Sequence, residues 1–554
     1  MTDHLKIALA QANPTLGNIA GNVALARSFR EEAEALGADI IVYPELFLTG
    51  YPPEDLVMKG AFQRSVARAI DELAELTLDG GPAMLMTAPV VEAGKLYNAA
   101  LLLEAGKITA TRYKAKLPNY GVFDEIRVFE PGPLPGPMAF RGVRLGVMIC
   151  EDMWFPDVAE CLMETGAEML IVPNGSPYDH MKSDIRLNHA VQRVTETGLP
   201  LIYLNQIGGQ DELVFDGASF VMNADRSLKV QMASWKESLI VTDWRRQADG
   251  GWACETEEIV DPGNAMARIY HAMVLGLKDY VEKNRFPGVV LGLSGGIDSA
   301  LSAAVAVDAL GADRVHCVMM PSKYTSTESL DDAAECARLL GTRLDTISIV
   351  PGVDAFETML KDAFAGQEPD ITEENIQSRL RGVTLMALSN KFGKMVLTTG
   401  NKSEMSVGYA TLYGDMCGGY SVLKDVYKTT CFKLSEWRNK NHSPLFKGPD
   451  GPVMPENVIV KPPTAELRDN QKDEDSLPPY DILDGILRGL VEEEKSVSEL
   501  IAEGYDPATV SRVQNLLYIA EYKRRQAPPG VKISTRSFGR DRRYPITNGF
   551  RDKR

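Results

Sequence analysis

Short apolar runs alternate with amphipathic segments between residues 6 and 243. The runs predict buried strands, and they lie at 40–43, 83–88, 98–103, 143–149, 169–172 and 200–205. The segments 22–36 and 63–77 have the spacing of amphipathic helices. Turns at 104–107 and 223–226 predict hairpins, so we expect mixed sheets in an α/β half.

The pattern changes at about residue 246. Residues 246–264 lack periodic apolar positions, and we predict a linker there between a first domain at 1–245 and a second at 265–554. In the second domain the pattern predicts alternating helices and parallel strands. The predicted helices are 265–284, 298–310 and 329–340, and the predicted strands are 288–293, 315–320, 344–349 and 395–399. A stretch at 442–463, rich in Pro, Gly and Lys, predicts a mobile loop.

Charge and composition narrow the classes of function. The 554 residues include 59 basic and 76 acidic side chains, a formal charge of −17 that argues against a nucleic-acid binder. No apolar run approaches the roughly 18–20 residues of a membrane span, and no signal peptide is visible, so we expect a cytoplasmic protein. Seven cysteines and six histidines form no disulfide framework and no zinc pattern.

Three chemically reactive side chains each follow a predicted strand: Glu45, Lys114 and Cys150. A nucleophilic thiol needs a base for its proton and a cation for the developing oxyanion. Singly, each of the three is more often a packing or surface residue. Together, PE at 44–45, KAKLP at 114–118 and ICEDMW at 149–154 resemble the Glu-Lys-Cys triad of the nitrilase superfamily, over most of residues 6–243.

That resemblance implies an αββα nitrilase-like sandwich with amidase chemistry. Cys150 would attack a carboxamide carbon, Glu45 would act as general base, and Lys114 would stabilise the tetrahedral intermediate. The segment NYGVFDEIR at 119–127 resembles the glutaminase branch attached to NAD synthetases, which implies glutamine as substrate. The residues implied to contact glutamine are Tyr51, Tyr120, Glu151, Ser176 and Lys182, although Ser176 could equally be an ordinary turn residue.

A glycine-rich turn joins strand 288–293 to helix 298–310. Its backbone N–H groups and the positive helix end can cradle a polyphosphate, although a tight structural turn is the plain alternative. The motif SGGxDS is neither a P-loop nor a dinucleotide fingerprint, and it resembles the pyrophosphate loop of ATP-pyrophosphatases, with their Rossmann-like parallel sheet. The loop residues implied to bind ATP are Gly292, Leu293, Ser294, Gly295, Gly296, Ile297, Asp298 and Ser299.

Four further motifs resemble the NAD synthetase family from residue 265 to the end: ENIQSRLR at 374–381, GYATLYGD at 408–415, KPPTAEL at 461–467 and EYKR at 521–524. The resemblance adds Thr399, Lys428 and Thr464 to the ATP site. It implies that deamido-NAD⁺ binds Asn375, Arg379, Glu404 and Lys523. Asp298 and Glu404 could hold Mg²⁺ through hard oxygen ligands, although either acid alone is more often a helix cap or a solvated charge.

The two resemblances together imply a glutamine-dependent NAD synthetase, which catalyses the final step of NAD biosynthesis. ATP would adenylylate the nicotinate carboxylate, and ammonia released from glutamine would displace AMP. We expect a sheltered ammonia passage, dimeric synthetase domains and a homo-oligomer of up to eight chains, with helix 268–277 as one candidate contact. The loop 415–421 departs from the short ammonia-using enzymes and is similar to the glutamine-dependent branch.

Two other functions fit parts of the sequence. A free carbon–nitrogen hydrolase with a nucleotide-sensing domain is disfavoured because both Asp298 and Glu404 are present. A tRNA-modifying ATP-pyrophosphatase is disfavoured by the charge of −17 and by the amidase half. The basic tail 531–554 could suggest nucleic acid, but a solvated or subunit-contacting tail is the favoured interpretation.

Overall fold

The computed structural model describes residues 2–468, 471, 473–475 and 477–552. The chain forms two compact units. The first extends to Gln210 and includes Val214–Gly263, and the second comprises Asp211–Leu213 and the residues from Asn264 onward. Among the described residues, no helix combines the length and apolar character of a membrane span.

The first unit contains two seven-stranded sheets and a two-stranded ribbon. Its strands are β1 (His4–Gln11), β2 (Ile40–Val42), β3 (Ala83–Glu92), β4 (Lys95–Glu104), β5 (Lys107–Tyr113), β6 (Met138–Phe140), β7 (Val143–Val147), β8 (Met169–Asn174), β9 (Leu201–Asn205), β10 (Ile207–Gln210), β11 (Leu213–Asp216), β12 (Phe220–Met222), β13 (Leu228–Gln231), β14 (Ser238–Arg246), β15 (Trp252–Cys254) and β16 (Glu258–Ile259). The sheet orders are β15-β14-β1-β2-β3-β4-β5 and β16-β13-β12-β9-β8-β7-β6, and β10 pairs with β11.

Alternating side chains on these strands build a four-layer sandwich. On β1, Leu5, Ile7 and Leu9 pack in the core between the two sheets, whereas Ala8 and Ala10 face the helices. The helices of this unit are α1 (Ile19–Ala35), α2 (Gly60–Leu76), α3 (Pro156–Glu164) and α4 (Lys182–Thr197). Because α1 and α2 cover one sheet and α3 and α4 the other, the predicted αββα architecture is confirmed.

The segment 246–264 differs from the predicted linker. Within it, β15 extends the first sheet beside β14, and β16 pairs in parallel with β13. The boundary between the units therefore falls between Gly263 and Asn264. Strands of two or three residues are too short to show a period in the sequence.

The second unit is built on a five-stranded parallel sheet of order β19-β18-β17-β20-β21. Its strands are β17 (Val289–Gly292), β18 (Val315–Met319), β19 (Arg343–Thr346), β20 (Met395–Thr398) and β21 (Tyr420–Ser421). Its helices are α5 (Ala265–Lys283), α6 (Ile297–Leu310), α7 (Thr327–Leu340), α8 (Val350–Leu360), α9 (Ile371–Phe392), α10 (Lys402–Val407), α11 (Lys428–Lys440), α12 (Glu456–Val460), α13 (Tyr480–Val491), α14 (Val497–Ala502), α15 (Pro507–Ile519) and α16 (Glu521–Arg524). The predicted parallel, Rossmann-like sheet is confirmed.

Two predicted irregular segments are more ordered than we expected. The stretch 442–463 contains α12 and buried apolar side chains, and Arg438 donates to the Pro449 carbonyl at 2.7 Å. The tail begins with buried Val531, and Phe538 lies in the core of the C-terminal helices, so the prediction of a solvated tail is wrong there. Lys553 and Arg554 of the tail lie outside the described residues.

Candidate active sites

A buried ion cluster lies just beyond the ends of two strands of the first sheet. Glu45 follows β2 and Lys114 follows β5, and both side chains are fully buried. The Lys114 Nζ lies 2.7 Å from the Glu45 Oε1 and 2.8 and 2.9 Å from the two carboxylate oxygens of Glu125. Burial alone lowers the pKa of Lys114, but Glu125 and Glu45 outweigh it and raise the pKa well above its usual value. Lys114 is therefore a permanent cation.

Glu45 is held by three donors. Its Oε1 accepts from the Asn98 Nδ2 at 2.8 Å and from Lys114, and its Oε2 accepts from the Gly175 N–H at 2.9 Å. A Cβ on Gly175 would lie 2.9 Å from the Tyr51 ring and 3.2 Å from the Glu45 Oε2, so the site needs a residue without a side chain here. These contacts fix the orientation of the Glu45 carboxylate.

Cys150 begins a short 3₁₀ helix, Cys150–Trp154, directly after the strand β7 and its two-residue extension. Its φ of 47° is left-handed, a conformation that costs a non-glycine residue free energy. Burial raises the pKa of the thiol well above its usual value, Glu45 raises it further, and Lys114 opposes them. The thiol is therefore protonated at rest and needs a base to become a nucleophile.

Asp152 links the Cys150 turn to the end of β5. Its carboxylate accepts from the backbone N–H groups of Ile149 at 2.9 Å, Ala115 at 3.0 Å and Lys116 at 2.8 Å. Burial raises the pKa of Asp152 to about 6, against these hydrogen bonds. One side chain thus holds the turn of the nucleophile against the segment that carries Lys114.

Three of the residues predicted to contact glutamine form hydrogen bonds beside this cluster. Tyr51 donates to the Glu125 Oε1 at 2.8 Å, and Tyr120 donates to the carboxylate of Glu151 at 3.0 Å. The Lys182 Nζ lies 5.1 Å from the centroid of the Phe123 ring, within the range of a cation–π contact. Tyr51 and Tyr120 thus each donate to a carboxylate, Glu125 and Glu151, whose charge acts on Cys150.

Ser176 and Lys182 need separate description. The Ser176 Oγ accepts from the Arg186 Nε at 3.0 Å, so a side chain of the fold already contacts the hydroxyl. The charge of Lys182 acts on Glu151, whose pKa burial raises. Lys182 therefore lies near the Tyr120–Glu151 pair, whereas Ser176 belongs to a buried hydrogen-bond network with Arg186.

The second unit contains a cavity of about 300 Å³ at the carboxyl end of its sheet. Gly292, Leu293, Ser294, Gly296, Ile297, Asp298 and Ser299 of the glycine-rich loop line it, together with Thr399, Glu404, Lys428 and Thr464. Gly295 does not line the cavity. Its φ is 81°, and a Cβ there would lie 2.3 Å from the Ser329 carbonyl oxygen, so the loop needs glycine at this position to pass α7.

Asp298 and Glu404 share one cation in this cavity. The Lys428 ammonium donates to the Asp298 Oδ2 and to the Glu404 Oε1, the latter at 3.1 Å. Asn401 donates to the other oxygen of Asp298 at 3.1 Å. Burial raises the pKa of Glu404 to about 7, against the attraction of Lys428. Among the described residues, no cluster of three or more His, Cys, Asp or Glu side chains forms a ready-made metal site.

The remaining residues predicted to bind deamido-NAD⁺ lie outside the cavity and contact one segment of the chain. Asn375 on α9 accepts from the Thr411 Oγ1 at 2.9 Å, and Arg379 donates to the Leu412 carbonyl at 3.2 Å. Lys523 on α16 donates to the carbonyl of Ala410 at 2.7 Å. These side chains hold the segment 408–412 from two helices, and neither Asn375, Arg379 nor Lys523 lines the cavity.

A curated relative from Rhodobacter capsulatus, a glutamine-dependent NAD(+) synthetase, is 53% identical to this chain over the full length of both. The chain belongs to the glutamine-dependent NAD(+) synthetase family. The relative of the same description from Thermotoga maritima is 42% identical over 99% of both chains. A solved glutamine-dependent NAD+ synthetase from Acinetobacter baumannii, in complex with ADP, is 41% identical and superposes with a TM-score of 0.79 over both whole chains.

Two domain families divide the synthetase along its length. The carbon-nitrogen hydrolase family matches residues 6–253, and the NAD synthase family matches residues 269–527. The predicted resemblance, fold class and enzyme class are therefore confirmed: the chain is a carbon–nitrogen ligase with a glutaminase domain and an NAD synthase domain.

Sequence reasoning assigned no role to several residues that the structure places in the sites. Glu125 lies within the NYGVFDEIR motif, but a single acid on a short 3₁₀ helix shows no pattern of its own. Arg381, Lys461 and Asp473 line the nucleotide cavity, and Arg381 lies within the ENIQSRLR motif. Only the contacts in the folded chain single these residues out.

Proposed function

We propose that the first unit hydrolyses glutamine at Glu45, Lys114 and Cys150, and that the second unit uses the ammonia with ATP to convert deamido-NAD⁺ into NAD⁺, AMP and pyrophosphate. The observation that carries this proposal is the buried Lys114–Glu45 pair acting on a strained thiol, in one chain with a glycine-loop cavity. An amidase centre alone would not need the second cavity.

The glutaminase reaction follows from the charges around Cys150. Glu45 accepts the thiol proton while the sulfur attacks the carboxamide carbon, and the Lys114 ammonium stabilises the negative oxygen of the tetrahedral intermediate. The C–N bond breaks as Glu45 returns the proton to the leaving ammonia. Glu45 then takes a proton from water, which attacks the thioester carbon, and glutamate leaves as the sulfur regains its proton.

Side chains around the cluster supply the substrate contacts. The Glu151 carboxylate, paired with Tyr120, suits the α-ammonium group of glutamine, since a buried carboxylate gains a cationic partner there. Lys182 suits the α-carboxylate, and we propose further contacts with glutamine from Tyr51 and, beside Arg186, from Ser176. Glu125 keeps Lys114 charged and oriented throughout the cycle.

In the second unit, a carboxylate oxygen of the nicotinate group attacks the α-phosphorus of ATP. The bond from that phosphorus to the bridging oxygen breaks, and pyrophosphate leaves with the electron pair. Ammonia then attacks the acyl carbon, loses a proton, and AMP leaves. The glycine-rich loop, Thr399, Lys428 and Thr464 would hold ATP, and Asn375, Arg379, Glu404 and Lys523 would meet deamido-NAD⁺.

Mg²⁺ fits the donor set at the cavity. Asp298 and Glu404 already share the Lys428 ammonium, which shows that one cation can reach both carboxylates. Mg²⁺ characteristically takes one or two protein carboxylates and completes its shell with phosphate oxygens and water. When bound, it would neutralise charge that develops on the departing pyrophosphate.

A side cavity suits the delivery of ammonia. It holds about 20 Å³, enough for one small molecule, and shares Thr398, Gly400, Glu404 and Asp415 with the nucleotide cavity. Met405, Met416, Ala527 and Pro528 give it apolar walls. Because bulk water at pH 7 protonates ammonia, an apolar approach keeps the neutral nucleophile intact, and we place the last part of the ammonia passage here.

The exposed face of α8 and α9 suits contact with a second copy of the chain. Met359 and Val383 are 72% and 66% exposed, and no residue of α8 is buried. Exposed apolar side chains on two adjacent helices are typical of an interface, and we propose a dimer of synthetase domains through them, within an assembly of up to eight chains. Because ATP is the co-substrate, we place the enzyme in the cytoplasm, and because the formal charge is −17, we propose no nucleic-acid partner.

The synthetase assignment is tested with Asp298→Asn and Glu404→Gln in the full chain. Both variants should lose most NAD⁺ formation with glutamine and with ammonium, and both should keep glutamine hydrolysis. Asp313→Asn, on a short 3₁₀ helix outside the cavity, is the matched control. Wild-type rates of NAD⁺ formation in both cavity variants would contradict the assignment.

A further inference from the structure

Three basic side chains line the nucleotide cavity among the described residues: Arg381, Lys428 and Lys461. Lys428 is paired with Asp298 and Glu404, and the Lys461 Nζ lies 2.6 Å from the Asp332 Oδ2. Arg381 differs from both, since in the described part of the chain it forms no ion pair and only its Nε is bonded, to the Met320 carbonyl oxygen at 3.1 Å. Four of its five N–H donors therefore lack a protein partner there.

The position of Arg381 places it beside the phosphate loop. Met320 directly follows β18, the neighbour of β17, and a Cβ on Gly292 would lie 3.2 Å from the Met320 Cε. The anchor of Arg381 is thus adjacent to the first residue of the glycine-rich loop. Burial lowers the pKa of Arg381 to about 10, against the charges of Glu466 and Asp415, so the guanidinium is charged at pH 7.

Arg381 and the predicted dinucleotide contact Arg379 lie on different sides of α9. Two residues along an α-helix differ by about 200° around its axis. Arg379 accordingly points to the Leu412 carbonyl outside the cavity, whereas Ser378, Arg381 and Leu385 line the cavity at helical spacing. Arg381 therefore belongs to the ATP side of the site.

We propose that Arg381 binds the non-bridging oxygens of the α-phosphate of ATP and stabilises the charge on that phosphate while the nicotinate carboxylate attacks it. The inference rests on the proposed binding of ATP in this cavity. A guanidinium fork matches phosphate geometry in two parallel hydrogen bonds, and an ammonium does not. Carboxylates already neutralise the other two cavity cations, Lys428 and Lys461. Arg381 therefore supplies the positive charge that balances the negative charge of the phosphate.

The test uses full-length Arg381→Ala and Arg381→Lys with ATP, Mg²⁺, deamido-NAD⁺ and saturating ammonium. We expect Arg381→Ala to lower kcat for NAD⁺ and pyrophosphate formation about 100- to 1,000-fold, with a much smaller change in the KM for ATP. Arg381→Lys should recover part of the rate. Glutamine hydrolysis and the thermal midpoint report that the variants are folded, and Arg338→Ala, an exposed arginine of α7, is the matched control.

Three results would overturn the inference. The first is a kcat for Arg381→Ala close to that of the wild type. The second is a rise in the KM for ATP with kcat unchanged, which would mean equal binding of the ground and transition states. The third is a rise in the KM for deamido-NAD⁺ alone, which would assign Arg381 to the other substrate. A wild type that makes no NAD⁺ from either donor would overturn the proposed function, and this inference with it.

Discussion

The Lys114 ammonium donates to both carboxylate oxygens of Glu125, at 2.8 and 2.9 Å, in a site closed to solvent. The same ammonium contacts Glu45, so two carboxylates share one cation. Burial raises the pKa of Glu125 to about 7, against the attraction of Lys114. Glu125 thus titrates near neutral pH, where a change in its charge alters the balance of charge around Lys114 and Cys150.

Glu125→Gln should abolish most glutamine hydrolysis and spare NAD⁺ formation from ammonium. The amide keeps the shape of the carboxylate but removes the charge that holds the Lys114 ammonium. Separate rates with the two nitrogen donors check this expectation. Glu130→Gln, at an exposed acid that pairs with Lys95, is the control and should behave as the wild type.

The pH dependence of the wild type follows from the same group. Because the pKa of Glu125 is raised to about 7, its carboxylate is mostly protonated at pH 6 and mostly charged at pH 8. Glutamine hydrolysis should therefore fall as the pH drops through about 7. A kcat/KM for glutamine that stays flat from pH 6 to pH 8 would contradict this role for Glu125.

Gly175→Ala should damage the glutaminase selectively. The new Cβ would meet the Tyr51 ring and the Glu45 Oε2, and it would displace the base that the Gly175 N–H now orients. We expect a loss of at least tenfold in glutamine-driven NAD⁺ formation, since a small misplacement of a catalytic group costs about 100-fold. Gly136→Ala is the matched control, because a Cβ there has no atom within 4 Å. Equal activity of the two variants would show that the close approach at Gly175 is unimportant.

Lys402→Met should destabilise the synthetase unit. Lys402 is fully buried on α10, and its Nζ contacts Asp425 and Glu492 at 2.9 Å and the Ser534 Oγ at 2.7 Å. Removal of one member of a buried ion pair costs about 3–5 kcal/mol, because the partner charge stays buried. Urea unfolding measures this loss, and Lys447→Met, whose lysine is exposed, should leave stability unchanged. A similar stability for both variants would mean that the tail does not hold α10.

Local patterns in the sequence predicted much of both domains. The strand–loop–helix around Gly295 could be predicted because each of its parts has a local signature: an apolar run, glycines and a helix start. Short motifs that resemble the nitrilase superfamily predicted Glu45, Lys114 and Cys150 as members of one site. Their roles in catalysis stay predictions.

Long-range contacts account for what the sequence did not predict. Glu125 belongs to the site because the fold places Lys114 beside it, and neither residue alone shows that pairing. The burial of the tail depends on Asp425, which accepts from the Ser534 N–H at 2.7 Å across more than 100 residues. A basic segment looks solvated in sequence because its partners are far away along the chain.

Val383→Asp should weaken self-association. Val383 is 66% exposed on α9, and a charge on an apolar interface is costly to bury. Sedimentation velocity should show a smaller assembly for this variant than for the wild type, while Leu36→Asp, an exposed position after α1, should leave the mass unchanged. Wild-type assembly of Val383→Asp would place the interface elsewhere.

The most direct test of a two-site synthetase is NAD⁺ formation by Cys150→Ala with each nitrogen donor. The protein is incubated with ATP, Mg²⁺ and deamido-NAD⁺, and with either glutamine or ammonium. We predict that the variant makes NAD⁺ from ammonium at the wild-type rate and makes almost none from glutamine. Equal loss with both donors, or full activity with glutamine, would contradict the assignment of Cys150 as the nucleophile that supplies ammonia to the second site.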